Sequence, residues 1–367
     1  MKQTLLFFIL GIAFLFASCK EKPLLKDVDL QKCSYTPTKL STFLGNHKVV
    51  KLEKDSLLRI SAFPRVIKKK ELFYIPTKET CLIYNRDGQL VEKIDYPNPL
   101  ENEDSWICGY DICTINGDLE LWIASGFSEQ AIYRISLKDG QKTGIIKTEY
   151  PFYDFRVVDE DKILLVLANN HYMFGVSDFK GKINTVGLKK RNKDSYDSNF
   201  FIPYDGNYFV QYLFTTLVGC YDKNTNEIKE KLLIEDNPYT NTLETLTELI
   251  EKQGVMRGTK SATDSYYVIT HLAKSNNVEL MSSTYKEKTF FSIRRESEKF
   301  QTMEIIPNKN NYLVNDIYPL KDDFLQLSHS FEGRTDSDNS ILLYLIADRT
   351  DPLELKEREM VILDIIN

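Results

Sequence analysis

Three aspartates recur at one place in a repeated pattern. Asp111, Asp154 and Asp316 each stand seven residues before the end of a polar turn, at Asp118, Asp161 and Asp323. If the strands that carry them line a common axis, the three carboxylates could form a ring at a channel mouth. Such a ring suits a hard cation such as calcium, which takes oxygen ligands at about 2.3–2.6 Å. With a base beside it, the ring could serve a cation-dependent, lactonase-like hydrolase or lyase. The same carboxylates could instead cap backbone amides where each strand begins, and both roles stay open at this level. A second candidate contact is aromatic. Trp106 and Tyr110 could offer flat rings to a sugar or peptide, and Trp106, beside Glu101-Asn102-Glu103-Asp104, is the one placed to reach a mouth. Trp122 reads as filler between packed sheets.

Other chemistry is sparse. Asp222-Lys223-Asn224-Thr225-Asn226 begins like a calcium loop, but Glu227 stands where glycine is required and Leu233 where the bidentate glutamate belongs. A hairpin turn is the simpler reading. His47, His171, His271 and His329 are scattered without metalloprotease spacing, and no nucleophile elbow, P-loop or dinucleotide fingerprint occurs. No catalytic residue is assigned. After Cys19, five cysteines remain: Cys33, Cys81, Cys108, Cys113 and Cys220. An odd number without CxxC spacing indicates neither zinc nor a full disulfide framework. Cys108 and Cys113, five apart in one strand, would point to opposite faces. Buried small hydrophobes are the expected role.

What must position these residues is a set of short strands. An apolar stretch, a polar turn and a second apolar run recur, as in Ile112–Ile115, Asn116-Gly117-Asp118 and Leu119–Trp122. Six copies follow, with turn ends at 71, 118, 161, 207, 265 and 323, so the spacing runs from 43 to 58 residues. Each copy is followed by further runs closing on turns such as Asp87-Gly88 and Asp139-Gly140, giving about four hairpin-linked strands per unit. Four strands repeated at this interval predict an all-β fold, a six-bladed β-propeller occupying residues 43–367. The early run His47–Leu52 is expected to pair with the last blade and latch the ring. Thr242 to Gly254 carries Leu243, Leu246, Leu249 and Ile250 at helical spacing, which predicts a helical insertion between blades four and five.

The N-terminus sets the address. Lys2 precedes an uncharged apolar stretch from Gln3 to Ser18, too short to cross about 30 Å of hydrocarbon comfortably, so residues 1–18 read as a removable leader. Phe16-Ala17-Ser18-Cys19 resembles the bacterial lipobox, with Phe16 in place of the usual leucine. The resemblance implies acylation of Cys19, a tether over residues 19–42, and attachment to a membrane. Lys20 follows Cys19 where an inner-membrane retention aspartate would stand, so an outer-membrane lipoprotein is expected, facing either the periplasm or the surface.

With Val49-Val50-Lys51-Leu52-Glu53, Leu72–Ile75 and Cys81–Ile94, the chain resembles the six-bladed β-propeller lipoproteins of Bacteroidetes, relatives of the NHL and TolB-like propellers. The resemblance spans roughly residues 40 to 350 and implies fold and envelope location, with no activity attached.

With 47 basic and 53 acidic residues the formal charge is −6, and no Lys/Arg run exceeds Lys68-Lys69-Lys70, so a nucleic-acid partner is disfavoured. The expected function is a lipid-anchored binding or scaffold module for a peptide, glycan or partner protein, without a required cofactor, calcium being the one open. A place in a larger outer-membrane complex and the cation-dependent enzyme are the alternatives.

Overall fold

The computed structural model describes residues 47–53, 65–189, 202–211, 216–235, 268–305, 325–327, 334–335, 341–349 and 358–365. Within these, Glu103, Asn169, Asp205, Gly206, Glu287 and Ser297 are excepted, and a few further positions are described at 55–57 and 248–264. Residues 1–46, with the leader, Cys19, Cys33 and the tether, lie outside the described residues, as do Asp316 and His329.

Strand β1 (His47–Lys51) precedes five four-stranded antiparallel sheets, each formed by consecutive strands in chain order. The first holds β2 (Ile67–Lys69), β3 (Leu72–Pro76), β4 (Thr80–Asn85) and β5 (Leu90–Asp95). The second holds β6 (Gly109–Ile115), β7 (Asp118–Ser125), β8 (Ala131–Ser136) and β9 (Lys142–Lys147). The third holds β10 (Phe152–Asp159), β11 (Lys162–Leu167), β12 (Tyr172–Asp178) and β13 (Ile183–Lys189). β14 (Ile202–Tyr204), β15 (Asn207–Gln211), β16 (Leu217–Asp222) and β17 (Glu227–Leu232) form the fourth. β18 (Val268–Lys274), β19 (Val278–Tyr285), β20 (Lys288–Arg295) and β21 (Gln301–Ile305) form the fifth. The remaining strands, β22 (Leu325–Leu327), β23 (Arg334–Thr335), β24 (Ile341–Arg349) and β25 (Arg358–Ile365), join β1 in a closing sheet ordered β1-β25-β24-β22, with β23 also on β24.

The burial pattern explains the stacking. β4 and β11 are buried almost throughout, whereas the fourth strands β5 and β17 are mostly exposed. A strand covered on both faces needs a continuous apolar run, and a strand at the rim needs polar side chains. Buried clusters accordingly join neighbouring sheets: Tyr74 and Ile83 pack with Ile112, Leu121 and Tyr133, and Trp122 and Ile132 with Phe155 and Leu165. The first strands β6 and β10 lie side by side, so the molecule is a β-propeller with first strands innermost.

Both chain ends close it. β1 pairs antiparallel with β25, from His47 opposite Ile365 to Lys51 opposite Val361, so the expected latch is present. The residue that follows β1 repeats a device used further along. The Glu53 amide donates to the Gly88 carbonyl (2.7 Å) and its carboxylate accepts from the Leu90 amide (3.0 Å). The Glu149 amide likewise donates to the Gly181 carbonyl (3.3 Å), and its carboxylate accepts from the Ile183 amide (3.1 Å). β1 therefore stands to the first blade as β9 stands to the third.

The expectation of six blades with a helical insertion is corrected. Among the described residues five four-stranded blades are present, and the last sheet is built differently, with two long strands, two short ones and β1 brought from near the other end of the chain. No complete helix stands among the described elements, although the described positions Glu248, Leu249, Lys252 and Gln253 have helical backbone. Of the segment 242–254 only five positions are described, and among them Lys252 pairs with Glu248 at 3.6 Å before Gly254 takes a positive φ of 78°. The fifth repeat is also displaced by one strand. Its first turn is not Asp264-Ser265 but Ser275-Asn276-Asn277, where the Ser275 amide donates to the Val278 carbonyl (2.8 Å). The interval after β17 breaks the period, and Val268 and Ile269, just after the expected turn end at 265, belong to the first strand β18.

Candidate aromatic site

Three segments at one end of the second and third blades bring aromatic rings together. Trp106 comes from the link between β5 and β6, Phe127 from the turn between β7 and β8, and Tyr153 from the start of β10. Phe127 stacks on Tyr153 with centroids 6.0 Å apart and planes within 8°, and Trp106 lies 6.0 Å from Phe127 at 39°. Trp106 is 49% exposed and Phe127 41%. Large apolar rings left half in water and in register with one another form a contact surface, unlike singly scattered ones. Tyr150, 44% exposed, lies in the link before β10, and Tyr172, 40% exposed, opens β12.

The loop bearing Phe127 is held firmly. The Ser125 hydroxyl donates to the Trp106 carbonyl (3.1 Å) and lies 2.9 Å from the Ser128 hydroxyl, which accepts from the Trp106 amide (3.4 Å). The Glu129 amide donates to the Ser125 carbonyl (3.0 Å), and the Gly126 amide to Cys108 Sγ (3.2 Å). A β-carbon at Gly126 would lie 2.4 Å from the Phe152 carbonyl oxygen, so only glycine lets the turn sit this close to β10. Preorganised rings of this kind lose little entropy when something stacks on them.

The surrounding segments are predominantly acidic. The segments 96–108, 126–130 and 148–151 contain Glu101, Glu103, Asp104, Glu129 and Glu149 and no Lys, Arg or His. Glu101 pairs with Lys147 at the end of β9 (2.9 Å). The Glu129 carboxylate accepts from the Asn102 amide (2.9 Å) and from the Tyr133 hydroxyl. Burial pushes the Glu129 carboxyl up, but these bonds outweigh it and hold it below the usual range.

Of the residues picked out from sequence, Trp106 lies in this platform and Tyr110 does not. The Tyr110 ring packs against the buried cluster of the first two blades, burial pushes its hydroxyl well up, and its carbonyl accepts from Arg65 Nη1 (2.8 Å). Phe127 and Tyr153 were not anticipated. The one sequence signal was an aromatic residue inside the otherwise polar turn Gly126–Gln130. Trp122 is fully buried, as expected, with its Nε1 donating to Glu120 (2.9 Å) and the Arg134 guanidinium 5.1 Å above its ring.

Asp111 and Asp154 occupy equivalent positions opposite Trp122 and Val166. Asp111 Oδ1 accepts from the Ile112 amide (2.9 Å) and Oδ2 from the Val157 amide of the next blade (2.9 Å), and burial raises its pKa. Asp154 Oδ1 accepts from the Phe155 amide (2.8 Å), Arg65 Nη1 (3.1 Å) and Arg156 Nη1 (3.2 Å), and Oδ2 accepts from Arg65 Nη2 (3.0 Å). Each carboxylate ties backbone or guanidinium groups of neighbouring blades. Among the described residues no group of three or more His, Cys, Asp or Glu side chains is placed to hold a metal ion. Asp222 caps its own hairpin, accepting from the Asn224 (2.8 Å) and Thr225 (3.3 Å) amides. Cys81 and Cys220 are buried and Cys108 and Cys113 half-buried, all four as free thiols.

A polar cleft of about 420 Å³ lies on the fifth blade between Asn276, Asn277, Glu296 and Glu298. At its wall Glu279 is shared by Lys274 (2.8 Å) and Arg294 (2.5 Å).

No protein-family model and no curated protein matches the chain. Solved structures are similar to it. A Bacteroides fragilis protein inferred to be exported is 11% identical, with a TM-score of 0.63 over 90% of this chain and 97% of its own. The β-propeller domain of Cps50 (Swd1) from Myceliophteria thermophila is 10% identical, with a TM-score of 0.43 over 86% of this chain and 99% of its own. A Bacteroides caccae protein of unknown function is 12% identical, with a TM-score of 0.38 over 67% and 79%. At these identities the likeness to the first extends to fold.

Proposed function

We propose that the chain is a cell-envelope β-propeller, held to a membrane through an acylated Cys19, that works as a binding or scaffold module for a peptide, glycan or partner protein. The observation that carries the reading is the aromatic group at one end of two adjacent blades, in which the exposed Trp106 and Phe127 build on the partly buried Tyr153. Aromatic rings are the side chains that dominate recognition surfaces, because they bring large contact area with few rotatable bonds. The leader over residues 1–18 and the small-small-cysteine ending support the location, in keeping with the inferred export of the Bacteroides fragilis protein of similar fold. Two or three acyl chains would anchor the chain stably where one would not.

Two measurements test this. Full-length protein purified in detergent is assayed by calorimetry against a panel of oligosaccharides and peptides, in parallel with Trp106→Ala. A ligand whose affinity falls at least tenfold in the variant supports the module, and ligands that bind both forms equally would place recognition elsewhere. Cells labelled with a radioactive fatty acid should incorporate it in the wild-type chain and not in Cys19→Ala, whereas equal labelling removes Cys19 as the anchor.

A further inference from the structure

The platform and its surroundings together name a class of occupant. Trp106 and Phe127 are exposed and Phe127 stacks on the partly buried Tyr153, while the adjoining segments 96–108, 126–130 and 148–151 bring Glu101, Asp104, Glu129 and Glu149, more carboxylates than the one neighbouring cation, Lys147, offsets. An aromatic face attracts a cation through its quadrupole, most of all the face of Trp. A guanidinium adds flat stacking and bidentate hydrogen bonding to carboxylates. A neutral sugar would use the rings but gain nothing from the charge, and an anionic ligand would be repelled by it. Asp104, two residues before Trp106, is exposed, and its amide donates to Asn102 Oδ1 (3.1 Å).

Resting on the platform reading above, we infer that this face takes the arginine or lysine side chains of an extended basic peptide, presented by a partner protein. The cationic head stacks on Trp106 and Phe127, and the acidic rim, with Asp104 at its centre, draws it in. Attraction of this kind is long-ranged at low salt and is screened beyond about 10 Å at 0.1 M.

Three probes test the inference on the full chain in detergent: acetyl-Gly-Arg-Gly-Arg-Gly-amide, its glutamate counterpart, and maltohexaose, followed by calorimetry and tryptophan fluorescence. The arginine peptide is expected to bind, with affinity falling at least fivefold between 0.05 and 0.5 M sodium chloride, and the glutamate peptide is expected not to. Trp106→Ala and Phe127→Ala should each weaken the arginine peptide about tenfold, Trp106→Phe should restore most of the loss, and Asp104→Asn should lower affinity chiefly at low salt. Arginine-peptide binding that ignores salt, or survives Trp106→Ala, overturns the inference. Binding of maltohexaose alone, lost in Trp106→Ala, also overturns it while leaving the platform reading standing. If neither probe binds, the cationic occupant is again overturned, and the wider panel decides the platform separately.

Discussion

Arg65 reaches across the inner strand of the second blade to grip Asp154 in the third, with Nη1 and Nη2 at 3.1 and 3.0 Å from its two oxygens. On the way its Nη1 meets the Tyr110 carbonyl, and Arg156 Nη1 approaches the same carboxylate at 3.2 Å. Arg65 and Arg156 are each 6% exposed and Asp154 2%. The contact joins three blades near the axis, between residues 89 positions apart in the sequence.

Asp154 is shared by two guanidiniums, so its loss takes the carboxylate from both. Removing one partner of a buried ion pair costs about 3–5 kcal/mol, and Asp154→Asn is expected at or above that range, with Arg65→Met below it because Arg156 still serves the carboxylate. Urea unfolding of the two variants measures this. Equal midpoints would contradict the shared-carboxylate picture.

The turns between the third and fourth strands test blade packing. Gly140 and Gly181 have φ of 71° and 85°, and a β-carbon there would lie 2.2 Å from the Asp95 carbonyl oxygen and 1.6 Å from that of Lys147. Gly117 has φ of 89° and open space around it. Alanine at Gly117 should therefore cost only the left-handed backbone, about 1 kcal/mol. At Gly140 or Gly181 it should cost about 1–3 kcal/mol more from overpacking. Thermal melts of the three variants should rank Gly117→Ala as the mildest.

Acid stability should depend on Glu120. Burial raises its pKa, but hydrogen bonds from Arg134 (2.8 and 3.0 Å), Thr143 (2.9 Å) and Trp122 (2.9 Å) outweigh burial and lower it overall. A carboxyl lowered on folding stabilises above its unfolded pKa of about 4.3 and loses that contribution as pH falls through the folded value. Asp111 has the opposite sign: burial raises its pKa, so its contribution fades as pH rises. Glu120→Gln should flatten the fall in unfolding free energy between pH 5 and 3, and Asp111→Asn should steepen it. Parallel curves for wild type and Glu120→Gln would rule out the carboxylate as the source.

The two tryptophans should behave oppositely. Trp122→Ala empties a fully buried site beneath Arg134 and should cost about 3–5 kcal/mol. Trp106→Ala removes a ring already half in water and should shift stability by less than about 1 kcal/mol. Comparable melting points for the two would mean that Trp106 is part of the core.

What the chain determined by itself is whatever depends on neighbours a few residues apart. Alternating apolar runs and Asp-Gly turns define strands and hairpins locally, so the all-β blades, the turns at Asn116-Gly117 and Glu160-Asp161, and even the latch strand His47–Lys51 were legible. The fifth repeat slipped because a long interval after Leu232 removed the period that had set the register, and the count of equal blades failed where the last sheet borrowed β1 from the opposite end. Three relationships belong to the tertiary structure alone: the stack of Trp106, Phe127 and Tyr153, the withdrawal of Tyr110 into the core, and the clasp of Arg65 on Asp154. Each depends on how far one twisted sheet is rotated against the next, a quantity set by interdigitating side chains from both. Single-strand periodicity says which residues share a face, and only the packing of neighbouring blades says which faces meet.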